Sequence, residues 1–477
     1  MTSLVMVGAE MLNWSDLTPL NGRPATGGRV PAALLDAVLK PTDSVLVAGP
    51  HSLDLLEQVV GATASVDALV RSAPDAEEIA ARIPGRVYCG ALDRFSSEDA
   101  YDVIVALDGL HRLVGPDTPV LTWFDALAAL RKRLAPEGRL LLAAENSFGI
   151  ERLIQPNLAT VANDQAWPRD LFGSVEPPAG LKAVQDALGT SATTYAVYPD
   201  LADPSVALTG TDTPLAGVTI ARAVASRYTG PMMSDPYRLM QDAIAAGLGT
   251  ELAPGWYFVI GAADVPDVLP GDAVPTGSGI LLEEYLLDAL RVDDQAAIRR
   301  TVPGYVSWLL AQDTEIASIA SADNVIVDGT SYQVFGDGEP VEGRGEALVV
   351  SQLARFVRRS LEAGSRQSWT VGESTRGLTA LFASMAGITL TEALWASVAP
   401  GNKQPQPVGS AEQVATIARL TKELSEAATQ AIYFERQLSS IRRSRAYRIG
   451  IAVMNPAKVV VRRARRRVRR VRRRVGR

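Results

Sequence analysis

The sequence predicts a doubly wound, parallel α/β sheet over residues 29–212, and two observations carry that expectation. Apolar runs of five or six residues, rich in Val and Leu, alternate with segments at helical spacing from Ser44 to Asn146. Runs this short suit buried parallel strands better than helices. The leading run also ends in a glycine break, SVLVAGPHS, after which LDLLEQVVG resumes at helical spacing. Strand, tight turn and helix in that order open a nucleotide-binding α/β unit whose helix N-terminus faces the crevice.

Taken in order, residues 1–28 are turn-rich (LNGRPATGG) and read as an irregular lead-in. RVPAALLDAVLK, 29–40, has helical spacing and stops before Pro41. Ser44–Ala48 is the first strand and Leu53–Val60 the first crossover helix. SVDALV, 65–70, is the second strand, and APDAEEIAARI the second helix, with Asp75 in its first turn. Arg86–Cys89 and YDVIVA, 101–106, are strands three and four. WFDALAALRKRLAPEG is a helix stopped at Pro136-Glu137-Gly138, and RLLLAA, 139–144, is strand five. Strands alternating with helices in this way imply a parallel sheet covered on both faces.

The totals set bounds. The 477 residues suffice for two or three domains, and an apolar share of 47% fits globular units. No run reaches the roughly 18 apolar residues that cross a bilayer. The opening MTSLVMVGAEMLNWSD lacks a basic n-region and carries an acid, which argues against a signal peptide. A single cysteine, Cys89, excludes an internal disulfide framework and fits a reducing cytoplasm. With two histidines, His51 and His111, no Cys/His metal site is expected. Residues 441–477 carry sixteen Arg or Lys and no acid, so the other 31 basic and 53 acidic residues leave −22 on residues 1–440. An acidic body with a basic end points to a polyanionic partner.

The phrases YDVIVALDGLHRL and WFDALAALRKRLAPEGRLLLAAEN resemble the fourth and fifth strands of the class I S-adenosylmethionine-dependent methyltransferases. The resemblance covers roughly residues 29–212. It implies a Rossmann-like, seven-stranded sheet, with strands six and seven, an antiparallel pair, drawn from TTYAVYPDLADPSVALTG (193–210). It also implies S-adenosylmethionine as cofactor, held by a glycine turn, a ribose acid and an adenine-side acid. Catalysis in such a site is mostly the positioning of an acceptor oxygen or nitrogen against the methyl group.

Carried over position by position, the resemblance places Gly49, His51, Arg71, Asp93 and Asp108 at the cofactor. The match is imperfect. The acid expected before the glycine turn is missing, and Pro50 removes an N–H donor. Arg71 stands where the ribose acid belongs, although a guanidinium offers donors only. Arg71 beside Pro50-His51 suits an anionic phosphate better than a neutral diol; a slip of four residues would instead bring Asp67 to the ribose. Asp93 fits the adenine-side acid. On the acceptor side, His111 and Glu145 end strands four and five, and His111 is the general-base candidate near neutral pH; the alternative for it is a helix-start histidine facing solvent. No metal ligand set is expected.

Residues 213–401 read as a smaller α+β accessory region. It holds a strand at Trp256–Gly261, an amphipathic helix in GILLEEYLLDALRV and a hairpin about Asp328-Gly329 in SADNVIVDGTSYQVFGDGEP. Multi-domain methyltransferase-like proteins of bacterial surface-polysaccharide clusters resemble this layout, including an (N)-I-x-V-D-G…Y-x-x-F hairpin segment. Residues 402–410 (NKQPQPVGS) form a linker. Ile417, Leu420, Leu424, Ala427, Ala431, Phe434, Leu438 and Ile441 make a heptad seam, so 411–441 reads as a coiled coil or as a lone amphipathic helix. In 442–477 valines interrupt the arginines at near-helical intervals, giving a basic amphipathic tail suited to an anionic membrane surface, each nearby cation contributing about 1 kcal/mol. Nucleic acid is the competing partner, with Tyr447 the one aromatic available to stack on bases; a solvated end is the third possibility.

Two functions stay open. One is an S-adenosylmethionine-dependent methyltransferase acting on a sugar hydroxyl in cell-surface glycan biosynthesis. The other is a catalytically inactive scaffold of the same fold, oligomeric through its coil, that gathers glycosyltransferases at the membrane. Both place the chain in the cytoplasm, peripheral on the inner face of the cell membrane.

Overall fold

Val- and Leu-rich runs become the central strands because helices cover both faces of the sheet they build. The computed structural model describes residues 3–398, apart from 20–22, 98, 116–117, 119–120, 156–174, 190–191, 212, 229–231, 276–277, 337, 363–368 and 370–373, together with residue 434. The chain divides into two units, residues 1–407 and 408–477. The expected linker, coil and tail lie outside the described residues except for Phe434.

Ten strands form one sheet: β1 (Ser3–Gly8), β2 (Ser44–Ala48), β3 (Ser65–Val70), β4 (Arg86–Gly90), β5 (Tyr101–Ala106), β6 (Leu134–Glu145), β7 (Ala192–Tyr198), β8 (Val206–Leu208), β9 (Gly255–Ile260) and β10 (Val268–Leu269). Their order is β1-β4-β3-β2-β5-β6-β9-β7-β8-β10. From β1 to β6 all pairings are parallel, and from β6 onward they are antiparallel. The sheet is therefore mixed and mostly parallel. The run β4-β3-β2-β5-β6 is a doubly wound order that reverses at β2, which makes the carboxyl ends of β2, β3 and β5 the ligand mouth of such a sheet.

One face packs on α1 (Arg29–Val38), α2 (Leu53–Ala62) and α3 (Ala73–Ala80), through Leu34, Leu56 and Ile79 against Val45, Val105 and Leu141. The other packs on α4 (Trp123–Arg131) and the helices Pro214–Arg227 and Pro236–Ala245, through Leu127, Ile220 and Met240 against Leu46, Ile104 and Leu142. Each such fully buried aliphatic side chain contributes about 1.5–3 kcal/mol over its exposed state.

Three expectations are corrected. The lead-in is not wholly irregular, because SLVMVG pairs with β4 as an edge strand; Leu4 and Met6 stay half exposed there, which weakens the apolar signal. The antiparallel pair expected in 193–210 is present as β7 and β8, but neither is the strand beside β6. It is β9, whose residues GWYFVI are all buried and insert between β6 and β7, while β8 is a three-residue strand beyond β7. Among the described residues the sheet thus has ten strands and continues past residue 212. Finally, the α4 helix ends at Arg131, and the stretch before Arg139 belongs to β6, with a register shift between the Tyr101–Leu134 and Val103–Arg139 pairs.

A second core begins at Leu282 and joins the helices Leu282–Arg291, Gln295–Ala311, Glu346–Glu362 and Thr375–Met385. The hairpin expected about Asp328-Gly329 pairs Val325–Asp328 with Ser331–Val334, and Gly329 takes the positive φ of 61° its turn requires.

Candidate functional site

At the end of β2 the chain turns through Gly49 at φ +93°, a conformation that L side chains rarely adopt. Its N–H donates to Leu69 O at 2.9 Å, tying the turn to β3. His51 then points inward and is buried. Its Nε2 accepts from the Leu107 N–H at 3.2 Å, so the proton sits on Nδ1, which donates to Gly49 O at 3.0 Å. That arrangement requires a neutral ring, and burial accordingly pushes the His51 pKa below its ordinary value, against the opposing pull of Gly49 O and Asp108. His51 is a staple between β2 and β5 and turns no free nitrogen toward a ligand.

The chain's own N-terminal segment lies across this loop. Thr26 bridges His51 in parallel register: its N–H donates to Pro50 O at 3.3 Å, and its carbonyl accepts from the Ser52 N–H at 2.8 Å. The Thr26 hydroxyl donates to Asp108 Oδ1 at 2.9 Å. Ser52 is the N-cap of α2, so an amide at the helix mouth is spent on residue 26 instead of an incoming anion.

Behind Thr26 runs a chain of charges, buried except at its Arg23 end. Arg71 forks onto Asp16 through Nε and Nη2, both at 2.8 Å, and its Nη1 donates to Val114 O at 2.8 Å. Arg112 forks onto Asp108 through Nε and Nη2, both at 2.7 Å, and lies 3.8 Å from Asp16. Arg23 closes the series 3.4 Å from Asp108. Trp14 donates its indole N–H to Asp16 at 2.9 Å and lies under the Arg71 guanidinium, 5.7 Å away. Burial alone would raise the Asp16 carboxyl, but the Arg71 hydrogen bond and charge outweigh it and hold the pKa below the ordinary value. The segment is pinned from α3 as well: Ser15 Oγ and the N–H groups of Asp16 and Leu17 donate to Asp75, and Ser72 Oγ donates to Trp14 O.

Of the expected cofactor residues, Gly49, His51, Arg71 and Asp108 are gathered at one mouth, but they face each other or the N-terminal segment. Asp67 serves Arg86 and Tyr101 instead and does not reach the mouth. Asp93, in a short turn after β4, lies 3.2 Å from Arg94 through Oδ2, while its buried Oδ1 has no hydrogen-bond partner among the described residues. On the acceptor side, His111 and Glu145 line one cleft with Arg23, Asp108, Trp123 and Leu201. The free volume of this cleft is about 20 Å³. That is room for one or two waters, against roughly 300–1,000 Å³ for a small-molecule site.

S-adenosylmethionine, the group implied by the resemblance, does not fit this mouth as folded. Its ribose position is Arg71 locked to Asp16, its glycine turn is roofed by Thr26, and Asp108 is saturated by Arg112 and Thr26. Sequence reasoning missed Asp16, Arg23, Thr26 and Arg112. Only Arg112 left a local signal, its i,i+4 spacing from Asp108 in LDGLHRL. It missed Glu151 too, whose buried Oε2 has no hydrogen-bond partner among the described residues and whose carboxyl is pushed up to about 7, chiefly by burial. Among the described residues no group of three His, Cys, Asp or Glu is placed to hold a metal, and no helix is long and apolar enough to cross a membrane.

No family model and no curated protein matches the chain. Solved structures similar to part of it include methyltransferases with bound S-adenosylmethionine or S-adenosylhomocysteine. The N-methyltransferase NodS of Bradyrhizobium japonicum, in complex with S-adenosylhomocysteine, is 17% identical over 34% of this chain and 70% of its own, at a TM-score of 0.23. The 1,6-didemethyltoxoflavin-N1-methyltransferase of Burkholderia thailandensis, with bound S-adenosylhomocysteine, is 26% identical over 24% of this chain and 52% of its own, at 0.19. CalS10, an amino pentose methyltransferase of Micromonospora echinaspora with bound S-adenosylmethionine, is 27% identical over 24% and 45%, at 0.17. At such TM-scores the similarity carries nothing about activity, and the fold rests on the chain's own strand order.

Proposed function

We propose that this chain is a methyltransferase-fold protein that works without S-adenosylmethionine, as a scaffold. The observation that carries the reading is the buried series Arg71–Asp16–Arg112–Asp108, ended by the partly exposed Arg23, which fills the expected cofactor mouth with side chains of the protein itself. Expelling it would strand charges in the interior, at several kcal/mol each. The basic tail supports a working place on an anionic membrane surface, the heptad seam supports self-association, and the hairpin layout supports a part in cell-surface glycan assembly beside glycosyltransferases. Calorimetry with S-adenosylmethionine and S-adenosylhomocysteine tests the first claim: no heat at millimolar ligand is expected, and micromolar binding overturns it.

One observation favours a second reading, a methyltransferase acting on a sugar hydroxyl. Asp93, at the adenine-side position, keeps a buried carboxylate oxygen without a hydrogen-bond partner among the described residues, as a residue awaiting a donor would. Micromolar binding that is lost in Asp93→Ala supports this reading; no heat sinks it.

A further inference from the structure

We propose that the mouth is a binding site for a phosphate-bearing ligand, kept shut by the Asp16 carboxylate of the same chain. Asp16 occupies a ready-made oxyanion cradle. Arg71 and Arg112 approach it from two elements, the end of β3 and the turn after β5, and both guanidiniums are buried. Each is oriented by groups other than Asp16: Arg71 by Val114 O, Arg112 by Asp108 and by the carbonyls of Arg23 and Pro24 at 3.1 and 2.7 Å. The Trp14 indole adds a further donor. Three N–H groups therefore donate to two carboxylate oxygens, Oδ2 taking Arg71 and Oδ1 taking Arg71 and Trp14, with the Arg112 guanidinium 3.8 Å from Oδ1. A phosphate spreads the same donors over three oxygens, which is the geometry that guanidinium forks match best.

Charge points the same way. Arg23, Arg71 and Arg112 face two carboxylates, Asp16 and Asp108, so the group is already one charge positive. Exchanging Asp16 for an external anion on the same donors strands no buried cation, whereas removing Asp16 alone does. The N-terminal segment has other attachments, to Asp75, Ser72 and His51, so the carboxylate can be deleted while its backbone stays docked. Free phosphate and a phosphate ester present the same oxygens to these donors, so titration has to tell the two apart.

The inference goes beyond the scaffold reading and is tested separately from it. Full-length wild type and Asp16→Ala are titrated with inorganic phosphate, with a nucleoside diphosphate, and with chloride at matched ionic strength. Asp16→Ala should bind phosphate at least about tenfold more tightly than wild type, which must first expel its own carboxylate. It should also regain thermal stability with phosphate and not with chloride, and Arg71→Gln added to Asp16→Ala should abolish both effects. Tighter binding of the diphosphate than of phosphate assigns the site to an ester. Equal phosphate responses in wild type and variant, or none in either, overturn the inference. If Asp16→Ala does not fold, Asp16→Asn removes the charge at constant size. Wild type gives an independent readout: saturating diphosphate should speed amide exchange at Met11–Leu17, and unchanged exchange overturns the inference. Heat with S-adenosylmethionine sinks the scaffold reading and leaves this one standing; silence toward phosphate does the reverse.

Discussion

Replacing Arg71 with methionine keeps an unbranched stem of similar reach and removes the guanidinium. The Asp16 carboxylate is then left with the Trp14 indole at 2.9 Å and the more distant Arg112 at 3.8 Å. Breaking a buried pair by removing one partner costs about 3–5 kcal/mol. Trp14 and Arg112 offset part of that, so we expect a loss near 3 kcal/mol. By contrast Arg86 and Asp99 lie 2.7 Å apart with side chains 44% and 47% exposed, and Asp99→Asn there should cost about 1 kcal/mol or less. The decisive comparison is the cycle with Asp16→Leu. Replacing both partners by apolar groups of similar volume is often near neutral, so the double variant should recover at least about 2 kcal/mol of the two single losses. Thermal unfolding gives the ranking, and amide exchange at Met11–Leu17 locates it. The wild-type contribution also has a pH signature. Because the folded Asp16 pKa is lowered, its stabilisation is present above the unfolded value, about 3.9, and is lost as pH falls through the folded one. A loss under about 1 kcal/mol for Arg71→Met, or additive losses in the cycle, would refute the idea that this pair closes the mouth.

Glu151 should act with the opposite sign. Its folded pKa of about 7 exceeds the ordinary 4.5, so its stability contribution is complete below 4.5 and disappears as pH rises to 7, a change of about 3 kcal/mol. Glu151→Gln should flatten that part of the melting-temperature profile, and identical profiles would count against the buried carboxyl. His51, lowered by burial, loses stability as pH falls below its unfolded value near 6.5. His51→Phe should remove that trend and cost about 1–3 kcal/mol at pH 7.5, because Leu107 N–H and Gly49 C=O lose their partner; a variant as stable as wild type contradicts the staple. Co-sedimentation with anionic vesicles should disappear on deleting residues 441–477, and equal binding to neutral vesicles at high salt would exclude the electrostatic attachment.

How much of this was legible depends on how local each signal is. The parallel half of the sheet is written in runs such as SVLVA and YDVIVA, each bounded by its own turn residues, so β2 to β5 follow from sequence. GWYFVI reads equally well as a strand, but nothing within it says that it inserts between β6 and β7; that choice is made by the two neighbours it buries against. The site divides in the same way. Gly49, Arg71 and Asp108 stand at strand ends and so declare themselves part of a mouth. What they do there is set by Asp16 and Thr26, 55 residues before Arg71 and 82 before Asp108. Charge pairs at such separations leave no periodicity to read.

The departures from a cofactor pattern are also not independent of one another. An acid at the end of β3 would repel Asp16, so Arg71 and the buried N-terminal segment require each other. Pro50 gives up an N–H that a ligand could have used, and its carbonyl instead accepts from Thr26. His51, held neutral, can stay inside beneath that roof without adding a fourth cation to Arg23, Arg71 and Arg112. Arginine, proline and histidine at these three positions therefore form one solution to a single problem, a mouth closed by its own chain. Reverting any one of them to the cofactor pattern would unbalance the closure without rebuilding a cradle. Changing Arg71 to an acid would set it against Asp16 and still leave Pro50 without a donor, which is why loss of the roof and gain of the cofactor are separate events in this fold.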